Sequence, residues 1–240
     1  MRMRFKPYAR PELLACDFHV HEPLTHGGHW HELYARPDQP WHLELGCGKG
    51  GFLAQIAPAH PDINYLGIDI TDKVLILAKR KVEAAYAARG IPADNVKIAS
   101  LDIERLGNAF TPEDRVSRIY INFCNPWSKN AGSNKHRLTH PRQLLQYRQL
   151  MDEGAEIWFK TDDDDLFRDS LSYFPAAGFE IAWQTFDLHK NEPDWNLRTE
   201  HEACSASRAS PSSADRPQGT RQHRDLGGAE GAGQTAGGGR

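Results

Sequence analysis

The stretch Trp41-His42-Leu43-Glu44-Leu45-Gly46-Cys47-Gly48-Lys49-Gly50-Gly51 limits the possible folds more than any other part of the chain. A short apolar run reads as a buried strand, and glycines directly after it let the backbone reach positive φ and approach a ligand with no Cβ between them. Amides opening the next helix would face whatever that turn holds. The alternation then repeats. Strand-like runs fall near 41–45, 63–69, 95–99, 117–124, 155–160 and 179–185, with helical periods between them. In the clearest helix, 71–89, Val74, Leu75, Ala78, Val82 and Ala85 recur at helical spacing, and Gly90-Ile91-Pro92 ends the run. This order predicts an α/β fold with a doubly wound, mostly parallel, Rossmann-like sheet.

The glycine turn fits two ligand classes. Gly46, Gly48 and Gly51 satisfy the dinucleotide pattern G-x-G-x-x-G, whereas Glu44 with Gly46, Gly48 and Gly50 satisfies the E-x-G-x-G-x-G pattern of S-adenosylmethionine (SAM) enzymes. Asp69 ends the second strand, where a carboxylate can accept both hydroxyls of a ribose; equally, it can brace the following helix, a task open to Thr71 or Asp72. In doubly wound sheets ligands sit at the carboxyl ends of the strands. Glu44, Asp69, Asp102, Asn125 and Asp162 all fall there, which predicts one shared pocket.

The 240 residues suit one catalytic domain with appendages. Residues 1–40 are polar and punctuated by proline, and read as a loosely packed N-terminal arm. Its crowded histidines (His19, His21, His26, His29, His31) lack a completing Cys or carboxylate at ligand spacing, so they are read as exposed side chains with no structural metal. Residues 41–202 form the domain. From 203 the composition turns to Ser, Ala, Gly, Arg and Pro, which predicts a disordered tail to 240 and leaves the sheet without its last strand. The four cysteines form no C-x-x-C, and no apolar run approaches the roughly 20 residues of a membrane helix, so the expected setting is cytoplasmic, with no membrane partner. Although the formal charge is −3, no Asp or Glu occurs from Asn125 through Met151, while Lys129, Lys135, Arg137, Arg142 and Arg148 lie there. Such a stretch is either a phosphate-facing basic surface or a solvated helix face.

A second signature ends the fourth strand: Asn122-Phe123-Cys124-Asn125-Pro126-Trp127-Ser128-Lys129. Taken alone, Asn-Pro-Trp is either an active-site turn or a structural corner around a tryptophan. Together with His136-x-Leu138-Thr139, Phe159-Lys160-Thr161-Asp162 and Thr199-Glu200-His201-Glu202, it resembles the bacterial tRNA (guanine-N7)-methyltransferase family, over roughly Trp41 to Glu202. The resemblance implies a SAM-dependent enzyme that methylates guanine N7 at position 46 in the variable loop of tRNA, acting as a monomer or homodimer. It further implies cofactor contacts at Glu44, Gly46, Gly48, Gly50, Asp69, Asp102 and Asn125, and catalytic roles for Asn125 and Asp162. The tRNA would be approached by Lys129, Asp162, Thr199, Glu200, His201 and Glu202.

The chain departs from the family pattern at four places. Asn125 stands where many members carry Asp, and an amide cannot take a negative charge. Ser128 replaces a proline, and the basic run is diluted to Asn130-Ala131-Gly132-Ser133-Asn134. Past Glu202 the chain enters its Ser/Gly/Arg tail in place of a closing apolar segment, as a change of reading frame or a truncation near Ala203 would produce. A nicotinamide-dependent oxidoreductase and a catalytically impaired product that still binds RNA or SAM are the competing functions. Asp162 heads four successive carboxylates; the first turn of a helix accounts for that run more simply than a cation site.

Overall fold

The structure, a computed structural model, describes residues 6–127, 132–190, 192–199 and 201–202, and the backbone of 216–222. Five parallel strands carry the site: β2 (Trp41–Leu45), β3 (Asn64–Asp69), β4 (Val96–Ser100), β5 (Val116–Asn122) and β6 (Met151–Thr161). A two-residue strand, β1 (His19–Val20), extends the β4 edge in parallel. β7 (Phe179–Gln184) lies at the other edge, and the order across the sheet is β1-β4-β3-β2-β5-β6-β8-β7, where β8 is Arg216–Gln222. The chain order therefore reverses beside β2, and the gap between the carboxyl ends of β2 and β5 is the switch point where such sheets bind ligands.

Helices cover both faces. One apolar cluster joins Trp41, Leu43 and Leu45 to residues of α4 (Pro141–Leu150) and α5 (Asp164–Ala176); the other gathers residues of α1 (Ala9–Leu14), α2 (Leu53–Ile56) and α3 (Asp72–Arg89) over Tyr65, Ile98 and Tyr120. β2 is buried throughout, as a central parallel strand must be. In α3 the buried stripe is Leu75, Ile76, Ala78, Val82 and Tyr86, while Val74 and Ala85 are only half-buried. Gly90 ends that helix at φ 65°, its N–H bonded back to the last turn. No helix among the described residues is long and apolar enough to cross a membrane.

Two expectations are corrected. The described part of the segment to residue 40 is docked on the domain: Trp30 is 0% exposed, stacks on Phe110 and donates its indole N–H to the Ala109 carbonyl (2.8 Å), while Leu13 is fully buried on α1. Aromatic anchoring replaces the missing apolar period. At the other end, Arg216–Gln222 falls in the stretch whose composition predicts a disordered tail, yet its backbone pairs antiparallel with both β6 and β7 as a last strand. Here main-chain pairing, which composition does not report, decides the structure. Residues 203–215 and 223–240 lie outside the described part.

Candidate active site

β2 ends in a turn built from left-handed glycines: Gly46, Gly48 and Gly50 have φ of 78°, 54° and 72°. Gly50 is also constrained by packing, because a Cβ there would lie 2.6 Å from that of Ala78 on α3. The amides of Gly46 and Cys47 both donate to the Ile68 carbonyl at 2.9 Å, which ties the turn to β3. Asp69 accepts the Gly48 amide at 3.1 Å and the Thr71 amide at 3.4 Å, so it braces both the glycine turn and the entry to α3. Its burial raises its pKa, opposed by those backbone donors.

Glu44 is 3% exposed and pushed up to about 8, first by burial and further by Asp69, with Asn122 opposing. Its Oε1 accepts Asn122 Nδ2 from the end of β5 at 3.1 Å, but Oε2 is buried without a partner. Such an oxygen is costly unless a donor reaches it. Glu44, the glycine turn, Asn122, Phe123, Thr199 and His201 line one cleft of about 460 Å³. Asp102 lines a separate pocket of about 560 Å³ and caps its own short helix through the Glu104 amide at 3.0 Å.

The Asn-Pro-Trp turn follows β5 directly. Phe123 and Trp127 both sit at positive φ (50° and 43°), conformations that cost non-glycine residues about 1–3 kcal/mol each and persist where surroundings enforce them. The exposed Asn125 turns its Oδ1 back onto the Trp127 amide at 3.1 Å and does not line the cleft. The half-buried Phe123 does, with its ring 4.4 Å from that of His201. Thus the turn opens on the glycine cleft through Phe123, with Asn125 beyond it.

His201 Nε2 meets Asp162 Oδ2 at 2.8 Å. The carboxylate run divides its tasks: Asp163 caps α5 by accepting the Leu166 amide at 2.7 Å, Asp164 and Asp165 occupy the first turn, and Asp162 is left for His201. Glu202 does not face the cleft: it is 0% exposed, takes the Thr199 amide at 2.6 Å and pairs with buried Lys160 at 3.3 Å. Thr199 returns the bond to the Glu202 amide, so these two residues hold the segment that presents His201. Lys129 and Glu200 lie outside the described residues.

Sequence reading gave no role to Asn122, which its place at the end of β5 between Glu44 and the turn could have flagged. Either reading of the acid-free stretch, a phosphate-facing surface or a solvated helix face, puts Arg137 in solvent. The structure buries Arg137 and uses Arg148 to bond the Ala177 carbonyl at 3.3 Å, which leaves Lys135 and Arg142 exposed.

Comparison with known proteins places this arrangement. A family model described as "Putative methyltransferase" matches residues 38–211. A protein of Clostridium perfringens (strain SM101 / Type A) named tRNA (guanine-N(7)-)-methyltransferase is 51% identical over 202 residues, 84% of this chain and 92% of that one. A protein of the same name from Clostridium beijerinckii is 53% identical, over 84% and 91%. Among solved structures, that of the 16S rRNA methyltransferase KamB superposes with a TM-score of 0.55 at 13% identity, over 92% of this chain and 96% of that one, a likeness of fold alone.

Proposed function

This chain belongs to the tRNA (guanine-N(7)-)-methyltransferase family, and from that premise we propose that its switch-point cleft carries methyl transfer from SAM to guanine N7 of tRNA. Family membership sets aside the nicotinamide-dependent oxidoreductase. The observation that carries the reading is the junction of Glu44 and Asn122: the cofactor-type glycine turn and the base-type turn open on one cleft.

The residues fit SAM. Three left-handed glycines let the backbone of the turn approach a ligand at positions 46, 48 and 50, and the orphaned Glu44 Oε2 offers a carboxylate oxygen suited to the ammonium of a bound amino acid. Glu44, Gly46, Gly48 and Gly50 would hold the methionyl end, Asp69 the ribose, and Asp102 the base end beside the second pocket. SAM supplies a methyl group made electrophilic by its sulfonium.

Guanine N7 carries a lone pair and no proton, so no side chain has to remove one. The work of the chain is alignment, which in favourable systems is worth about 7–11 kcal/mol. Phe123 and His201 offer flat faces at the cleft, and Asp162 stands behind His201 to meet positive charge growing on the purine. Asn125 braces its own turn through Oδ1, and its Nδ2 is left to donate to an acceptor such as guanine O6. Lys129, Thr199, Glu200 and Glu202 complete the proposed tRNA side, Thr199 and Glu202 by shaping the His201 segment. The target within tRNA is the guanine of the variable loop, and the setting is the cytoplasm.

Labelled-methyl transfer to an unmodified tRNA transcript tests the reading. Signal that vanishes when the variable-loop guanine is replaced by adenine is the expected result, whereas equal labelling of both transcripts rules out that target.

A further inference from the structure

A turn that aligns a base must keep one shape, and this one has few internal supports. Pro126 brings no N–H, Phe123 and Trp127 are both left-handed, and Asn125 is spent on the Trp127 amide. Support arrives from the segment 137–139. Arg137 is 2% exposed; its Nε donates to the Pro126 carbonyl at 2.7 Å, and its Nη1 bonds the Asp169 carboxylate on α5. The adjacent Leu138 lies against the glycine turn, its Cδ1 3.7 Å from where a Gly46 Cβ would stand. Thr139 Oγ1 shares a 2.7 Å hydrogen bond with Ser170 Oγ, which also bonds the Leu166 carbonyl of α5. Three successive side chains thus join the base turn, the cofactor turn and α5.

We propose that Arg137 is a positioning residue for methyl transfer, fixing the Pro126 carbonyl to α5 through Asp169 so that the 123–127 turn keeps its register with the glycine turn. The proposal rests on the functional reading above. A planar guanidinium serves a carbonyl and a carboxylate at once through separate nitrogens, Nε and Nη1; an ammonium donates from one atom and does not reproduce that spread. Burial against Asp169 also separates Arg137 from a phosphate-binding cation, which would stand in solvent and act on tRNA affinity and its salt dependence.

The test compares wild type, Arg137→Ala, Arg137→Lys and Asp169→Asn in methyl transfer to a tRNA transcript, with SAM affinity measured by calorimetry. For Arg137→Ala, kcat should fall about 100-fold, the effect of a misplacement near 1 Å. Its tRNA KM, the salt slope of that KM and its SAM affinity should stay close to wild type. Added guanidinium ion at millimolar concentration should raise kcat of Arg137→Ala and leave wild type unchanged, and Arg137→Lys should remain slow. A folded Arg137→Ala with kcat within about threefold of wild type, or a loss confined to KM and its salt slope, overturns the proposal. Should Arg137→Ala show no cooperative melting, Asp169→Asn decides: kcat lowered about tenfold at unchanged KM supports the role, and unchanged kcat overturns it. Wild-type chain that labels no transcript would count against the functional reading instead.

Discussion

Asn122 bonds Glu44 across the sheet's switch point, and only one of the two Glu44 oxygens is satisfied by it. Burial holds the carboxyl in its neutral form well above the ordinary range, to about 8 from 4.5, with the Asn122 bond opposing the shift.

That shift has a definite sign. Below about pH 4.5 Glu44 is protonated in both folded and unfolded chains and costs nothing; above it the unfolded chain releases the proton that the folded one keeps. Stability should decline as pH rises toward 8, by on the order of 2–3 kcal/mol between pH 5 and 7. Melting of wild type against Glu44→Gln, whose amide oxygen can still accept from Asn122, isolates the contribution. If Glu44 meets the ammonium of SAM, thermal stabilisation by SAM should grow with pH in wild type and stay flat in Glu44→Gln. Parallel pH curves for the two proteins would remove Glu44 from that role.

For Asn125 the expected effect follows from its bond to Trp127. Asn125→Ala removes the internal brace of a turn with two left-handed residues, and kcat at saturating tRNA should drop about tenfold. Asn125→Asp keeps an oxygen for the amide and exchanges the Nδ2 donor for a negative charge near the methylated purine; the charge should outweigh the lost donor, so its rate should equal or exceed wild type. Single-turnover measurement distinguishes chemistry from product release, and wild-type rates in Asn125→Ala would show the turn to be held without it.

Two neighbours in the Thr199–Glu202 segment should behave differently. Glu202→Ala takes the carboxylate from the buried Lys160 ammonium, leaving it the neutral Asn196 Oδ1 and Leu197 carbonyl, and should cost about 3 kcal/mol in denaturant unfolding. His201→Ala, at a partly exposed site, should leave stability within about 0.5 kcal/mol and lower kcat/KM instead. Equal destabilisation by both substitutions would make the segment structural as a whole.

Gly50→Ala tests the cofactor turn by packing. The new methyl has no room against Ala78, and the residue sits at φ 72°, so Ala must move the turn. SAM affinity measured by calorimetry should fall at least about tenfold, to the extent that the amides move. Gly90→Ala, with φ 65° but open space around it, carries the same backbone penalty away from the cleft and should leave SAM affinity intact.

How legible each part was in the residues depended on the range over which its cause acts. β2 and β3 were readable because burial and alternation are local, and β2 spans Trp41–Leu45 as read. The glycine turn was readable because positive φ selects glycine. Docking of the N-terminal segment was hidden: Trp30 is held by Ala109 and Asp114, some eighty positions away. Arg137 was hidden for another reason. Charge in an acid-free stretch suggests solvent, and nothing local announces Asp169 or the Pro126 carbonyl as its partners.

β8 poses the sharpest conflict between composition and place. Arg-Pro-Gln-Gly-Thr-Arg-Gln has no apolar residue, and its proline can give no N–H to a ladder. Yet Pro217 stands near the start of the strand, opposite Lys160 alone, whereas Thr220 is paired with Ile157 on one side and Ile181 on the other. Thr220→Pro therefore strikes the doubly paired centre and should cost about 3 kcal/mol or more in thermal unfolding, close to the loss on deleting 203–240. β6 carries Lys160, whose pairing with Glu202 helps hold the segment that presents His201, so methyl transfer should decline with it. A Thr220→Pro chain that melts like wild type would mean that β6 and β7 draw no stability from this strand. The sheet would then do without its last strand, as composition alone suggests.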